Sequence, residues 1–187
     1  PHMKKNLILI GSARKKGHTM SMVKLLTEQL AGKSEVELID CYRLKNISPC
    51  MDCRRCWEVK ECAIHDDMDD IYKKLEEADS IIMAAPSYFH SVPAPMKLVL
   101  DRCQVYWAKA VRRDMTDQKQ RTGAILLTGG APAFPEQFVS EIAPLKCLLD
   151  DLNAQCLDVI TISDSDHKTL SDYPDAMERI RTLAEKL

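Results

Sequence analysis

The sequence contains no long hydrophobic run. No stretch approaches the roughly 20 apolar residues that a membrane-spanning helix needs, so we expect no membrane partner. The apolar run that follows Lys4 and Lys5 covers only residues 7–10 and stops at Gly11, which argues against a secretory signal peptide. Pro1-His2-Met3 resembles a cloning remnant, and the predicted domain therefore starts at residue 4.

Neither sign of charge dominates the chain. The 26 Lys and Arg residues stand against 28 Asp and Glu, a net charge of −2, so nucleic acid is not expected as a partner. Eight cysteines without a secretion signal indicate a reducing, cytoplasmic location, where stable disulfides are rare. At 187 residues, 45% hydrophobic and 29% charged, the chain has the composition of one soluble globular domain.

Short apolar runs alternate with stretches of helical periodicity along the chain. The predicted strands cover residues 6–10, 35–40, 79–85, 122–128 and 154–162. The predicted helices cover 19–30, 66–77, 95 to beyond 107, 136–152 and 173–187, with Thr19 and either Asp66 or Asp67 as candidate N-caps. Helices between strands imply parallel pairing. We therefore predict an α/β fold, a three-layer α/β/α sandwich with a five-stranded parallel sheet, in a single domain over residues 4–187.

The loop after the first predicted strand, residues 11–19, has the components of a phosphate site. It combines the hydroxyls of Ser12 and Thr19 with the cations at 14–16 at the start of a helix. Ligands in such folds bind beyond the carboxyl ends of the strands. The spacing of the two glycines is one residue too long for a P-loop, and the G-x-G-x-x-G fingerprint is absent. A solvated basic turn with a capping threonine is the alternative.

Residues 86–95, after the third predicted strand, are rich in aromatic and small polar side chains. They suit a flat heteroaromatic ligand, which needs a stacked ring on its face and amide hydrogen bonds at its edge. Residues 128–130, after the fourth strand, allow close backbone approach from the other side. A tight turn that displays a surface aromatic is the alternative.

Four cysteines, Cys50, Cys53, Cys56 and Cys62, are concentrated in the cysteine loop, residues 49–65, with the spacing C-x2-C-x2-C-x5-C. Such a density indicates a soft metal, a disulfide or redox-active thiols. Structural zinc sites usually draw on two separated pairs of ligands, so this compact run is less typical of zinc. The other four cysteines are scattered among apolar neighbours and are assigned to packing.

Together these stretches resemble the NAD(P)H-dependent FMN reductase group of the flavodoxin-like superfamily, and within it the iron–sulfur flavoprotein branch. The resemblance rests on Gly-Ser-Ala-Arg at 11–14, Gly-His-Thr at 17–19, Pro-Ser-Tyr-Phe-His-Ser-Val at 86–92 and Met-Lys-Leu-Val-Leu-Asp-Arg at 96–102, with the cysteine loop between them. It implies a flavodoxin-like fold that binds FMN and takes NAD(P)H as reductant. The sequence departs from the family at His18, where asparagine is usual, and at His90, where glycine is common.

The resemblance also implies the residues of the site. The implied cofactor-binding residues are Ser12, Arg14, Lys16, His18, Thr19 and Met20 around the phosphate, Pro86, Ser87, Tyr88, Phe89, His90 and Ser91 along the isoalloxazine ring, and Thr128, Gly129 and Gly130 on the other side. It implies a [4Fe-4S] cluster on Cys50, Cys53, Cys56 and Cys62, and the residues themselves leave zinc or no metal as alternatives.

The implied function is that of an FMN-dependent oxidoreductase, which takes electrons from NAD(P)H and passes them to a quinone, a free flavin or a similar acceptor. The flavin carries the chemistry, and Tyr88 and His90 are the candidates for moving protons. Relatives commonly form homodimers or homotetramers, and we expect the same here. Two alternatives stay open: an electron carrier between protein partners through FMN and a [4Fe-4S] cluster, and a flavodoxin-like binding module without redox chemistry.

Overall fold

The computed structural model describes residues 3–187, so Pro1 and His2 of the predicted cloning remnant lie outside the described residues. Its strands are β1 (Lys5–Ile10), β2 (Glu35–Asp40), β3 (Ser80–Pro86), β4 (Arg121–Thr128) and β5 (Ala154–Ile162). Every neighbouring pair is parallel, and the strand order is β2-β1-β3-β4-β5. The predicted sandwich with a five-stranded parallel sheet is confirmed.

Helices cover both faces of the sheet. They are α1 (His18–Leu30), α2 (Arg55–Glu58), α3 (Met68–Glu77), α4 (Ala94–Arg102), α5 (Gln104–Trp107), α6 (Lys109–Arg112), α7 (Val139–Asp151) and α8 (Pro174–Lys186). Side chains alternate along a strand, so Leu7 and Leu9 pack with α3, α4 and α7, whereas Ile8 and Ile10 pack with α1 and α8. Within residues 3–187, every helix falls short of the length and hydrophobicity needed to span a bilayer.

Three helix predictions need correction. The helix predicted from residue 95 to beyond 107 is divided into α4, α5 and α6, with breaks at Cys103 and Ala108. Helix α7 starts at Val139 rather than at Glu136, because Glu136 has a φ of 63°, which is not helical. The N-cap of α1 is Gly17, and Thr19 lies inside the first turn.

Candidate functional site

A pocket of about 220 Å³ opens beyond the carboxyl ends of β1, β3 and β4. Most of its lining comes from three loops that are far apart in sequence. The first loop supplies Ser12, Arg14, His18 and Thr19, the second supplies Pro86, Ser87 and Tyr88, and the third supplies Thr128 and Gly130. The chain runs from β1 outward to β2 and then back past β1 to β3, so the pocket lies where the strand order reverses. Ligands of open parallel sheets bind at this position.

Helix α1 begins at the wall of this pocket. Gly17 precedes it with an extended backbone (φ −85°, ψ 177°), and within the described residues neither a capping side chain nor a first-turn acid occupies this helix end. The first N–H groups and the positive end of the helix dipole therefore remain available to an anion. The buried Ser12 adds a hydroxyl, which accepts the N–H of Arg14 at 3.3 Å. This arrangement suits a phosphate group.

Thr19 connects the helix to the sheet instead of capping the helix. Its hydroxyl and that of Thr128 are both buried and lie 3.0 Å apart, within hydrogen-bond distance. Ser87 adds a second link between loops, since its N–H donates to the carbonyl of Thr128 at 2.8 Å. The three loops are thereby held at fixed positions around the pocket.

Residues 88–91 form a tight turn beside the pocket. Tyr88 and Ser91 exchange backbone hydrogen bonds of 2.9 and 3.1 Å. Between them, Phe89 and His90 have φ values of 49° and 58°, a left-handed conformation that costs free energy for residues with a side chain. The Phe89 ring is fully exposed, and the His90 ring meets the edge of Phe134 at 5.7 Å between centroids. The turn thus directs Tyr88 toward the pocket and presents Phe89 to solvent.

Lys16 and Met20 lie outside this pocket. Both line a separate groove of about 540 Å³ between α1 and the edge strand β2, together with Leu38 and Lys24. Gly129 is also absent from the pocket lining. Side chains of the protein fill the space next to it, and a Cβ there would lie 2.6 Å from Nε2 of Gln137. Cofactor binding by these three residues stays a prediction, as it does for the residues that line the pocket.

The loop after β5 contributes two residues that the sequence analysis did not single out, Ser165 and Asp166. The N–H of Ser165 donates to the carbonyl of Gly129 at 3.0 Å, and the N–H of Asp166 donates to that of Gly130 at 3.4 Å. The signal that could have found them is the position of their loop after the last parallel strand, since every such loop lies at the ligand edge. His18 also reaches this loop, because its ring Nε2 hydrogen-bonds to the Lys168 carbonyl.

Tyr42 is a further neighbour of the site that the sequence analysis missed. It follows β2, and the pKa of its phenol is raised by partial burial and then by the nearby Tyr88. Tyr42 itself is not part of the pocket lining, which includes Tyr88.

The four thiols of the cysteine loop are free, with Cys50 and Cys53 exposed and Cys56 and Cys62 half-buried. Burial and then the nearby Cys50 raise the pKa of the Cys56 thiol, with smaller contributions in the same direction from Cys62 and Cys53. In residues 3–187, no three His, Cys, Asp or Glu side chains are grouped closely enough to enclose a metal ion. The thiol donors fit a soft metal in kind, and binding one would require the loop to close around it.

The strand order β2-β1-β3-β4-β5 with a ligand pocket between the loops after β1 and β3 defines the flavodoxin-like class of α/β/α sandwich. The chain belongs to the NADPH-dependent FMN reductase family, whose model matches residues 5–137.

The chain is also similar to sequence relatives and to solved structures. An iron-sulfur flavoprotein of Methanocaldococcus jannaschii is 40% identical over 93 residues, which cover 49% of this chain and 48% of the relative. An iron-sulfur flavoprotein of Methanosarcina thermophila is 39% identical over 87 residues, 46% of this chain and 43% of the relative. The chain thus spans about half the length of the curated relatives it matches. The crystal structure of an azoreductase from Bacillus anthracis superposes with a TM-score of 0.69 at 13% identity, covering 99% of this chain and 100% of that one, which shows the shared fold.

Proposed function

We propose that the pocket binds FMN and that the chain is an FMN-dependent oxidoreductase reduced by NAD(P)H. The observation that carries this proposal is the composition of the pocket, in which the uncapped start of α1, the hydroxyls of Ser12 and Thr19 and the cation of Arg14 lie beside Tyr88. The first group of residues suits a phosphate, and the tyrosine suits the face of an aromatic ring. The matching family model supports the same ligand.

Different residues of the pocket would bind different parts of FMN. The N–H groups at the start of α1 and Arg14 would hold the phosphate, while Ser87 and Tyr88 would orient the ring against the carboxyl edge of the sheet. When bound, FMN supplies the redox chemistry by accepting electrons from a nicotinamide and releasing them to an acceptor. Tyr88 and His90, at the exposed turn, would hold or move a proton at the edge of the ring.

The acceptor would be a small molecule that reaches the open side of the turn, such as a quinone or a free flavin. Tyr88 is partly exposed and Phe89 fully exposed, so a planar acceptor would find aromatic surface there. We further propose that the chain forms a homodimer or homotetramer that covers part of this surface, which light scattering on the purified protein tests directly.

Anaerobic titration with FMN, followed by NADH and then NADPH, tests the proposed activity. We expect FMN fluorescence to be quenched on binding and the flavin absorbance to bleach with at least one nucleotide. Riboflavin, which lacks the phosphate, should bind more weakly than FMN. Arg14→Met should reduce this preference, whereas Lys24→Met, which removes a cation from the neighbouring groove, should preserve it. Equal binding of riboflavin and FMN would contradict the phosphate site, and a protein that refuses both would support a binding module without redox chemistry.

The second candidate is an electron carrier in which the cysteine loop holds a [4Fe-4S] cluster beside FMN. It is favoured by the four clustered thiols and by the names of the curated relatives, which are iron-sulfur flavoproteins. Cys50, Cys53, Cys56 and Cys62 would be the ligands, and the cluster would supply one-electron transfer. Anaerobic purification with iron and sulfide analysis tests it. About four iron atoms per chain would support the electron carrier. A protein that contains flavin but no iron would support the FMN-dependent reductase instead.

A further inference from the structure

Arg102, the last residue of α4, is fully buried although its side chain is charged. Its Nη1 donates to the carboxylate of Asp66 at 2.6 Å and to the carbonyl of Ser48 at 2.8 Å. Its Nη2 donates to the carbonyl of Ile64 at 2.8 Å and to Sγ of Cys62 at 3.4 Å. One guanidinium therefore contacts four residues of the cysteine loop and its flanks.

These contacts hold the two ends of the cysteine loop together. Ser48 precedes the first cysteine of the loop, whereas Ile64 and Asp66 follow the last one. Asp66 connects the two ends of the loop directly as well, because its Oδ2 accepts the N–H of Ser48 at 2.9 Å. We call Arg102 and its four partners Ser48, Cys62, Ile64 and Asp66 the Arg102 clamp. The backbone of Arg102 is held in turn, since the Tyr72 hydroxyl donates to the Arg102 carbonyl at 2.6 Å.

Stability alone does not explain why a buried ion pair is present, because apolar residues of similar volume often stabilise a protein equally well. Arg102 does more than pair with a carboxylate: it gives two hydrogen bonds to backbone carbonyls and one to a sulfur. The Arg102 donor fixes the position of the Cys62 sulfur, and hydrogen bonds of this kind orient ligating atoms around a metal. Of the four loop cysteines, Cys62 is the one whose sulfur receives this donor in the described part of the chain.

We propose that Arg102 is the positioning residue of the cysteine loop, and that it holds the Cys62 sulfur ready to ligate a soft metal ion. This inference rests on the second candidate function, in which the loop carries metal. Arg102 fixes the loop ends and one ligand, and the more exposed Cys50 and Cys53 close around the ion. Hydrogen bonds to ligating sulfurs are among the factors that set the affinity and potential of a thiolate-bound metal.

Titration of the reduced, metal-free protein with Co²⁺ alone tests the inference, because thiolate ligation gives a sulfur-to-cobalt charge-transfer absorbance. We expect the wild type to show this absorbance. Arg102→Met should lower the Co²⁺ affinity roughly 10- to 100-fold, the usual effect of removing a partner that orients a ligand. Arg102→Lys keeps the charge but cannot reach all four partners, so its affinity should lie between those of the methionine variant and the wild type.

Arg121→Met is the matched control. Arg121 is also buried and paired with a carboxylate, that of Asp117 at 3.2 Å, but its other partners are carbonyls of Lys119, Leu152 and Glu76, none of which belongs to the loop. It should leave the Co²⁺ affinity unchanged. FMN titration of every variant separates this inference from the proposed flavin function. Wild-type affinity for Co²⁺ in a folded Arg102→Met or Arg102→Lys variant would overturn the proposal, and so would a wild type without the charge-transfer band.

Discussion

The hydroxyl groups of Thr19 and Thr128 lie 3.0 Å apart and are buried between the first turn of α1 and the carboxyl end of β4. The two residues are separated by 109 positions in the chain. Their contact fixes the helix on the proposed phosphate side of the pocket to the strand that closes the opposite side. The pocket is therefore formed by the fold before any ligand enters.

Replacing either threonine with valine should weaken both the fold and the pocket. Thr128→Val leaves the Thr19 hydroxyl buried without its partner, at a cost of about 1–3 kcal/mol in the free energy of unfolding. The double variant Thr19→Val, Thr128→Val removes both hydroxyls and should lose less than the sum of the single losses, because no polar group remains unpaired. Urea unfolding of the four proteins measures the coupling. Strictly additive losses would show that the two hydroxyls do not interact.

Asp166→Asn should strengthen FMN binding. The Asp166 carboxylate lines the pocket in which a phosphate is proposed, and the two like charges repel each other. Removing one charge should improve the FMN affinity by about 1 kcal/mol, or roughly fivefold, at low salt. Riboflavin is the control ligand, because without a phosphate its affinity should not rise. If both ligands gain equally, the carboxylate acts on the ring or the sugar chain instead of the phosphate.

The local pattern of the sequence predicts some elements fully and others poorly. Strands β2 and β5 have the predicted bounds, since their apolar runs end at clear breaks. The loops after β1 and β3 were predicted from their hydroxyl, cationic and aromatic side chains, and they do meet in one pocket. Ser165 and Asp166 were missed because their place depends on backbone pairing with Gly129 and Gly130, which no local pattern encodes.

The Arg102 clamp was missed for a similar reason. It joins residues separated by 36 to 54 positions, and at the end of an amphipathic helix an arginine normally reaches solvent. The division of the helix predicted from residue 95 is another tertiary effect. Val105 and Tyr106 of α5 are buried in the core that α7 also covers, so packing overrides a continuous helical pattern there.

Phe89→Asn should stabilise the protein although it removes a large apolar side chain. The Phe89 ring is fully exposed and buries nothing, while its φ of 49° is tolerated better by asparagine. We expect a gain of up to about 1 kcal/mol in the free energy of unfolding. If the exposed ring contacts the acceptor, kcat/KM for a quinone should fall in the same variant, which would separate its functional effect from its effect on stability. Lower stability in Phe89→Asn would contradict the described turn.

The ion pair between Asp66 and Arg102 should make stability depend on pH in the acidic range. Burial alone would raise the pKa of Asp66, but the hydrogen bonds from Arg102 and from the Ser48 and Met68 N–H groups bring it below its ordinary value. A carboxyl with a lowered folded pKa adds its full stability above the unfolded value of about 3.9, and loses it as the pH falls through the folded pKa. The wild type should therefore lose stability below about pH 4.

Asp66→Asn tests this contribution. At pH 6 the variant should be less stable by about 3–5 kcal/mol, because it leaves the buried Arg102 without a counter-charge. At pH 3 the difference should shrink, since the unfolded wild type then binds a proton at Asp66 that the folded state resists binding. Asp70→Asn, which breaks an exposed pair with Lys74 at 2.8 Å, is the control and should cost less than about 1 kcal/mol at either pH. A difference between wild type and Asp66→Asn that is equal at pH 6 and pH 3 would show that the carboxylate charge does not stabilise the clamp.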